Sequence, residues 1–241
     1  QYTMLFWSML DADVIGPSFQ SMGNLDSYFP NSRADNAISY KGTFSGLTLG
    51  ATYSFGRDAV NAGPSPAGTN CAGESGTDKS ACREWSVLAK YDAANWGAAL
   101  VHDDLRGGAG AFAGLTRSDM HDKRTMLNGY VRFAGLKIGG GYMRRKNDGY
   151  LPSPRNDLWF IGANYPVGQW SFDAQYSQLK YKDNADKGQL LVLRGTYNLS
   201  KRTAVYASLG YVKNSAGANF TVSSAQAGGN PLAGVNQTGF G

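Results

Sequence analysis

LRGTYNLSKRTAVYASLGYVKN, from Leu193 to Asn214, decides the fold. Leu193, Gly195 and Tyr197 alternate with Arg194, Thr196 and Asn198. A polar break follows at Ser200-Lys201-Arg202, and then Val205, Ala207, Leu209 and Tyr211 alternate with Tyr206, Ser208 and Gly210. Side chains on an extended backbone point alternately to opposite faces, so a period of two marks half-buried strands. The stretch therefore reads as two antiparallel strands joined by a tight turn. One face is apolar and ends in tyrosine, whereas the other holds an arginine among small polar groups.

The same pattern recurs outward from this hairpin. NAISYKG and LTLGATYSF flank the turn FSG, and EWSVLAKYD and WGAALVHDDL flank AAN. RTMLNGYVRF and LKIGGGYMRRK flank Ala134-Gly135, and DLWFIGANYP and QWSFDAQYSQLKY flank a Val-Gly pair. With the opening pair this gives ten expected strands of roughly eight to twelve residues. Short turns alternate strictly with longer polar connections. In an antiparallel meander that places every short turn at one end and every long loop at the other, as transmembrane barrels do. Strands of about ten residues, tilted near 45°, match an apolar band of ~25–30 Å.

Facing supports a membrane wall. Leu47, Leu49, Ala51, Tyr53 and Phe55 oppose Thr48, Gly50, Thr52 and Ser54. Trp170, Phe172, Ala174 and Tyr176 oppose Ser171, Asp173, Gln175 and Ser177, and Leu127, Val131 and Phe133 oppose Asn128 and Arg132. Tyr53, Trp85, Tyr91, Trp96, Trp159, Trp170, Tyr197 and Tyr211 lie near strand ends on apolar faces, where an aromatic girdle at a lipid–water boundary is expected. A soluble core would call for bulky aliphatics mid-strand and for burial of Lys90, Arg132 and Arg194. A water-filled lumen accepts those charges without desolvation.

Composition agrees with many strands and tight bends: among 241 residues there are 32 glycines, 14 tyrosines and 8 prolines. The net charge is +5 and the pI about 9.1, but the basic residues are scattered singly, so no nucleic-acid surface is expected. No apolar run approaches the ~18–20 residues of a spanning helix, a test that barrel strands escape. No basic-then-apolar leader precedes Gln1, so loss of a signal peptide or a piece of a longer polypeptide is expected. Cys71 and Cys82 have no nearby histidine, which disfavours zinc. A disulfide, implying an oxidising compartment, is the leading reading, with two free thiols left open.

At Asn36–Gly56, and again at Leu193–Asn214, the chain resembles the general diffusion porins of Gram-negative bacteria, and most of all their betaproteobacterial branch. The resemblance implies an all-β, antiparallel transmembrane barrel of the sixteen-stranded type, assembled as a homotrimer in the outer membrane. It assigns residues 1–35 to the external loop that folds inward to constrict the pore, and 36–213 to ten strands. Residues 214–241 become the last external loop and the entry to a final strand, so the whole chain reads as one incomplete barrel. The expected function is a water-filled channel for passive diffusion of small hydrophilic solutes and ions, with lipid and lipopolysaccharide as surroundings. No catalysis, metal or cofactor is expected.

Such a channel selects by width and by the field across its constriction. The inward loop offers Asp11, Asp13, Asp26 and Asp35. The wall offers Lys90, Arg132, Lys137, Arg145 and Arg194 by alternation, with Lys41 as a further candidate. Ser39 stands where relatives often have an inward arginine. Alternation gives facing but not height, so each basic side chain also reads as a lumen charge away from the narrowest point. The positive net charge leads us to expect a weak anion preference. Asp122, Asp148, Asp157, Asp183 and Asp186 read as turn aspartates ahead of divalent-cation ligands bridging lipopolysaccharide. Two rival classes remain open: a barrel enzyme of lipase type, for which His102 and His121 lack a clearly paired serine, and a soluble all-β carbohydrate-binding module.

Overall fold

The computed structural model describes residues 2–26, 29, 32–56, 71, 76–109, 111, 114–151, 153–223 and 231–241. Within them eleven strands form one antiparallel sheet in chain order. They are β1 (Ala37–Phe44), β2 (Leu47–Ser54), β3 (Glu84–Asp92), β4 (Trp96–Arg106), β5 (His121–Phe133), β6 (Leu136–Asn147), β7 (Arg155–Val167), β8 (Trp170–Tyr181), β9 (Lys187–Ser200), β10 (Thr203–Ser215) and β11 (Gln237–Phe240). The sheet is open between β1 and β11. The all-β antiparallel meander expected from the alternation is the architecture observed.

Two-residue turns pin the register. Ser45 and Gly46 both have positive φ, at 50° and 87°, and so do Ala134 and Gly135, at 49° and 83°. Left-handed backbone at both central positions matches the right-handed twist of the flanking strands. The resulting ladder pairs Phe44 with Leu47 and Phe133 with Leu136. A slip of one residue would exchange the faces of every following strand.

Along β2 the faces separate cleanly: Leu47, Leu49, Ala51 and Tyr53 are exposed, and Thr48, Gly50, Thr52 and Ser54 are buried. Phe172 and Leu209 are likewise exposed, at 50% and 37%. The apolar face of the sheet therefore points away from the protein. The eight aromatics expected in a girdle stand on this face, many in ring contact. Tyr91 packs on Trp96 at 5.6 Å and Trp170 on Tyr197 at 4.8 Å near the turns, and Trp159 packs on Tyr176 at 5.2 Å nearer the loops.

The opposite face is drier than expected. Leu88, Met126, Met143, Leu158, Leu190 and Val212 are buried there, and the chain's first residues cover them. Met4, Leu5, Met9, Ile15, Met22 and Leu25 supply the other half of this core. Two short helices lie in the covering segment among the described residues, α1 (Met4–Met9) and a 3-10 turn at Met22–Asn24. Each such side chain stabilises the arrangement by about 1.5–3 kcal/mol when fully buried. Beneath this segment the inner face is thus mixed, its buried apolar side chains interleaved with buried polar ones such as Ser86, Asp103 and Arg124, instead of wet throughout.

Candidate functional site

The segment before β1 is fastened to the inner wall by polar contacts as well as by the core. Thr3 Oγ1 donates to Asp103 at 2.8 Å, and the Met4 amide donates to Ser86 Oγ at 2.9 Å. Ser86 in turn donates to Asp103. Farther along, the Val14 amide donates to Gln175 at 3.1 Å. Arg194 donates to the carbonyls of Ile15 and Val14 at 2.8 and 3.1 Å, with Asp173 holding its Nε at 2.9 Å. Inward-facing glycines make the close approach possible. A Cβ at Gly139 would overlap the Ala12 carbonyl, one at Gly162 the Val14 side chain, and one at Gly50 the Met4 sulfur.

A buried ionic cluster forms the second fastening. Asp26 accepts two bonds of 3.2 Å from Arg124, whose side chain is 1% exposed. Arg145 approaches Asp26 at 3.5 Å and makes a bidentate pair with Asp122, at 2.9 and 2.7 Å. Such paired geometry offsets the large cost of burying charge, and removing one member would leave the others poorly compensated.

A more open cluster surrounds Asp11. Lys90 donates to Asp11 and also lies 3.1 Å from Asp92. The Tyr130 hydroxyl donates to Asp92 at 2.9 Å, and its ring carries Arg132 at 4.4 Å and Lys137 at 5.2 Å. Arg132 and Lys137 are direct cross-strand partners. Gly97 has no side chain to block Tyr130 from Asp92. Burial opposes ionisation of Asp11, but the Lys90 bond and charge, with Lys137 and Arg132 behind it, outweigh this and hold its carboxyl below the ordinary 3.8. Burial dominates at Asp13 and raises its carboxyl above that value, despite bonds of 3.0 and 3.2 Å from the Gly16 and Ile15 amides.

The expected site residues thus divide. Asp11, Lys90, Arg132 and Lys137 come together. Asp26 and Arg145 meet in the buried cluster instead, and Arg194 clasps the segment's backbone. Asp35 is exposed just before β1, and the nearby Ser54 hydroxyl donates to its carbonyl. Lys41 lies 3.7 Å over the ring of Trp7, and Ser39 shares a 2.9 Å bond with Thr52. Cys71 and Cys82 are joined in a disulfide. The loop-end acids are committed to local partners: Asp122 to Arg145, Asp148 to Lys146, Asp157 to Lys182 and Arg144, Asp183 to Arg155, and Asp186 to the Gly217 amide. Among the described residues no group of three potential metal ligands occurs. His102 bonds Thr125 and His121 bonds Asp104, at 2.7 and 2.6 Å, and no serine joins either pair among the described residues.

Sequence reading missed Arg124, Tyr130 and the inner glycines. Arg124 shares the inward parity of Asn128 and Arg132, which was a usable signal. The glycine sockets become meaningful only once the covering segment is in place.

The comparisons with known proteins point one way. The family model described as Gram-negative porin matches residues 1–217. The chain is 28% identical over 186 residues to outer membrane porin protein 32 of Delftia acidovorans, covering 76% of this chain and 47% of that one. It therefore spans about half the length of that relative. The anion-selective porin of Comamonas acidovorans superposes with a TM-score of 0.64 at 26% identity, over 88% of this chain and 59% of that chain. The trimer form of in-vitro folded OmpT of Vibrio cholerae has a TM-score of 0.64 at 14% identity, over 100% and 73%, and so shares the fold. With its outward apolar wall and an inward segment seated against the polar face, the chain belongs to the Gram-negative porin family, proteins of the outer membrane.

Proposed function

We propose that the whole protein forms a water-filled channel for passive diffusion of small hydrophilic solutes and ions, with a weak anion preference, and catalyses no reaction. The observation that carries this reading is the Asp11 cluster. A single loop carboxylate is met by Lys90, with Arg132 and Lys137 gathered on one tyrosine ring beside it. Three cations, Lys90, Arg132 and Lys137, thus face two carboxylates, Asp11 and Asp92, and a field of that sign lowers the barrier for anions. The anion-selective Comamonas neighbour supports the same direction.

In this reading residues 1–35 are the constriction loop, 36–213 the ten-strand wall, and 214–241 the last external loop with the start of a further strand. Asp11 faces the passage, and Asp26, Arg145 and Arg194 hold the loop to the wall. The outward aromatics are the interfacial girdle, the disulfide closes an external loop, and the assembly is a homotrimer surrounded by lipid and lipopolysaccharide. Reversal potentials of the full-length protein in planar bilayers under a salt gradient test this. An anion-selective potential is expected, and a clear cation preference overturns the assignment.

A further inference from the structure

The covering segment folds back on itself around a cup of about 90 Å³. Phe6, Met9 and Leu10 reach it from α1 and its end, Met22 and Phe29 from the return of the chain, and Asp13 is its one charged lining group. Every lining residue belongs to this segment and none to a strand, so the wall does not close the cup. Leu10 is 43% exposed beside it. Concave, mostly apolar surface with a few polar groups is the common form of a small-molecule site.

The cup adjoins the basic cluster. Between Asp11 and Asp13, the Ala12 carbonyl sits so close to Gly139 that a Cβ there would overlap it. Lys137 is the next inward position on β6, about 7 Å along the strand, and Arg132 is its cross-strand partner. Tyr130, the partner of Gly139, carries both cations on its ring at 4.4 and 5.2 Å. Lys90 is engaged by Asp11 and Asp92, whereas Arg132 and Lys137 enter no ion pair among the described residues. Asp13 already accepts from the Ile15 and Gly16 amides, so the free charge beside the cup is positive.

We propose that the cup and these two cations bind a small aromatic carboxylate in transit, the ring against Leu10 and Phe6 and the carboxylate toward Arg132 and Lys137. The inference rests on the channel reading above and names a class of solute for it. An enclosed apolar cavity of about 150 Å³ holds a whole benzene ring. A smaller cup with an open side receives the ring edge-on and leaves its substituent in the passage. There the guanidinium of Arg132 offers a carboxylate a two-pronged donor, with the Lys137 ammonium as a second point charge.

The test uses the full-length protein in planar bilayers and reads the concentration at which each solute halves the chloride conductance. Benzoate is compared with acetate, which lacks the ring, with benzamide, which lacks the charge, and with benzylammonium, which reverses it. Benzoate is expected to act at roughly one tenth of the acetate concentration, the effect of removing about 55 Å² of apolar surface from water. Benzamide and benzylammonium have no anionic end for Arg132 and Lys137 and are expected to act no better than acetate. Leu10→Asn puts an amide where the ring should rest, and is expected to bring benzoate to within about threefold of acetate. Equal action of benzoate and acetate in wild type, a ratio unchanged by Leu10→Asn, or block by benzamide or benzylammonium at the benzoate concentration overturns the proposal. Anion-selective channels indifferent to the ring sink this inference alone, whereas cation selectivity or an absence of channels in wild type sinks the reading beneath it.

Discussion

Asp26 and Arg124 meet through two hydrogen bonds of 3.2 Å, one to each carboxylate oxygen, with both side chains at most 2% exposed. They come from positions 98 residues apart, so this pair fastens the inward segment to β5 across a long stretch of chain. Arg145 and Asp122 extend the fastening to β6.

Asp26→Asn removes that carboxylate charge from two buried guanidinium groups. We expect a destabilisation of about 3 kcal/mol, the usual cost of breaking a buried pair. The folded gel band should convert at a lower temperature, and single-channel recordings should become noisier as the segment loosens. An unchanged conversion temperature would contradict the role given to this pair.

The inner glycines give a second contrast. Gly139→Ala places a methyl group on the Ala12 carbonyl, whereas Gly195→Ala meets only the Phe172 ring at 3.8 Å. Forced overlap in packed regions costs about 1–3 kcal/mol. Thermal conversion of the folded band should therefore drop for Gly139→Ala and stay within error for Gly195→Ala.

Acidity should act on the loop in two steps. Asp13 is raised above 3.8 and protonates first as pH falls, while Asp11 is held below 3.8 and protonates last. The Asp11–Lys90 pair therefore contributes fully above 3.8 and is lost only as pH falls through the lowered value. Anion preference, read from reversal potentials, should grow at each step. Asp13→Asn should abolish the upper step and leave the lower one.

The disulfide between Cys71 and Cys82 spans a sequence separation of 11 residues. In the chain-entropy account a loop of that size contributes about 3 kcal/mol. Replacing both cysteines by serine should lower the conversion temperature and leave conductance unchanged, because the pair lies apart from the Asp11 cluster.

The wall was largely legible in the sequence. Leu193, Gly195 and Tyr197 against Arg194 and Thr196 needed only the period of two, and Ser45-Gly46 needed only hairpin backbone geometry. The covering segment was harder. Its short helix, Met4–Met9, packs on Leu88 and Met126 from distant strands, and local pattern carries no record of such partners. Arg145 illustrates the same limit: alternation gives it the same inward facing as Lys137, but which carboxylate it meets depends on where the segment carries Asp26. Mid-strand glycines such as Gly139 prove to be sockets for the covering segment's backbone, a role that local pattern does not reveal.

The central claim is that the greasy face of this sheet meets lipid and the other face meets water. It is tested most directly by single cysteines on β5 and β6 of the full-length protein in liposomes, on a background with Cys71 and Cys82 replaced by serine. Arg132→Cys and Lys137→Cys should react with a water-soluble maleimide at least roughly tenfold faster than Leu127→Cys and Val131→Cys, as alternation of lumen and lipid faces requires. Fast labelling at Leu127 and Val131 with protection at Arg132 and Lys137 would contradict the account.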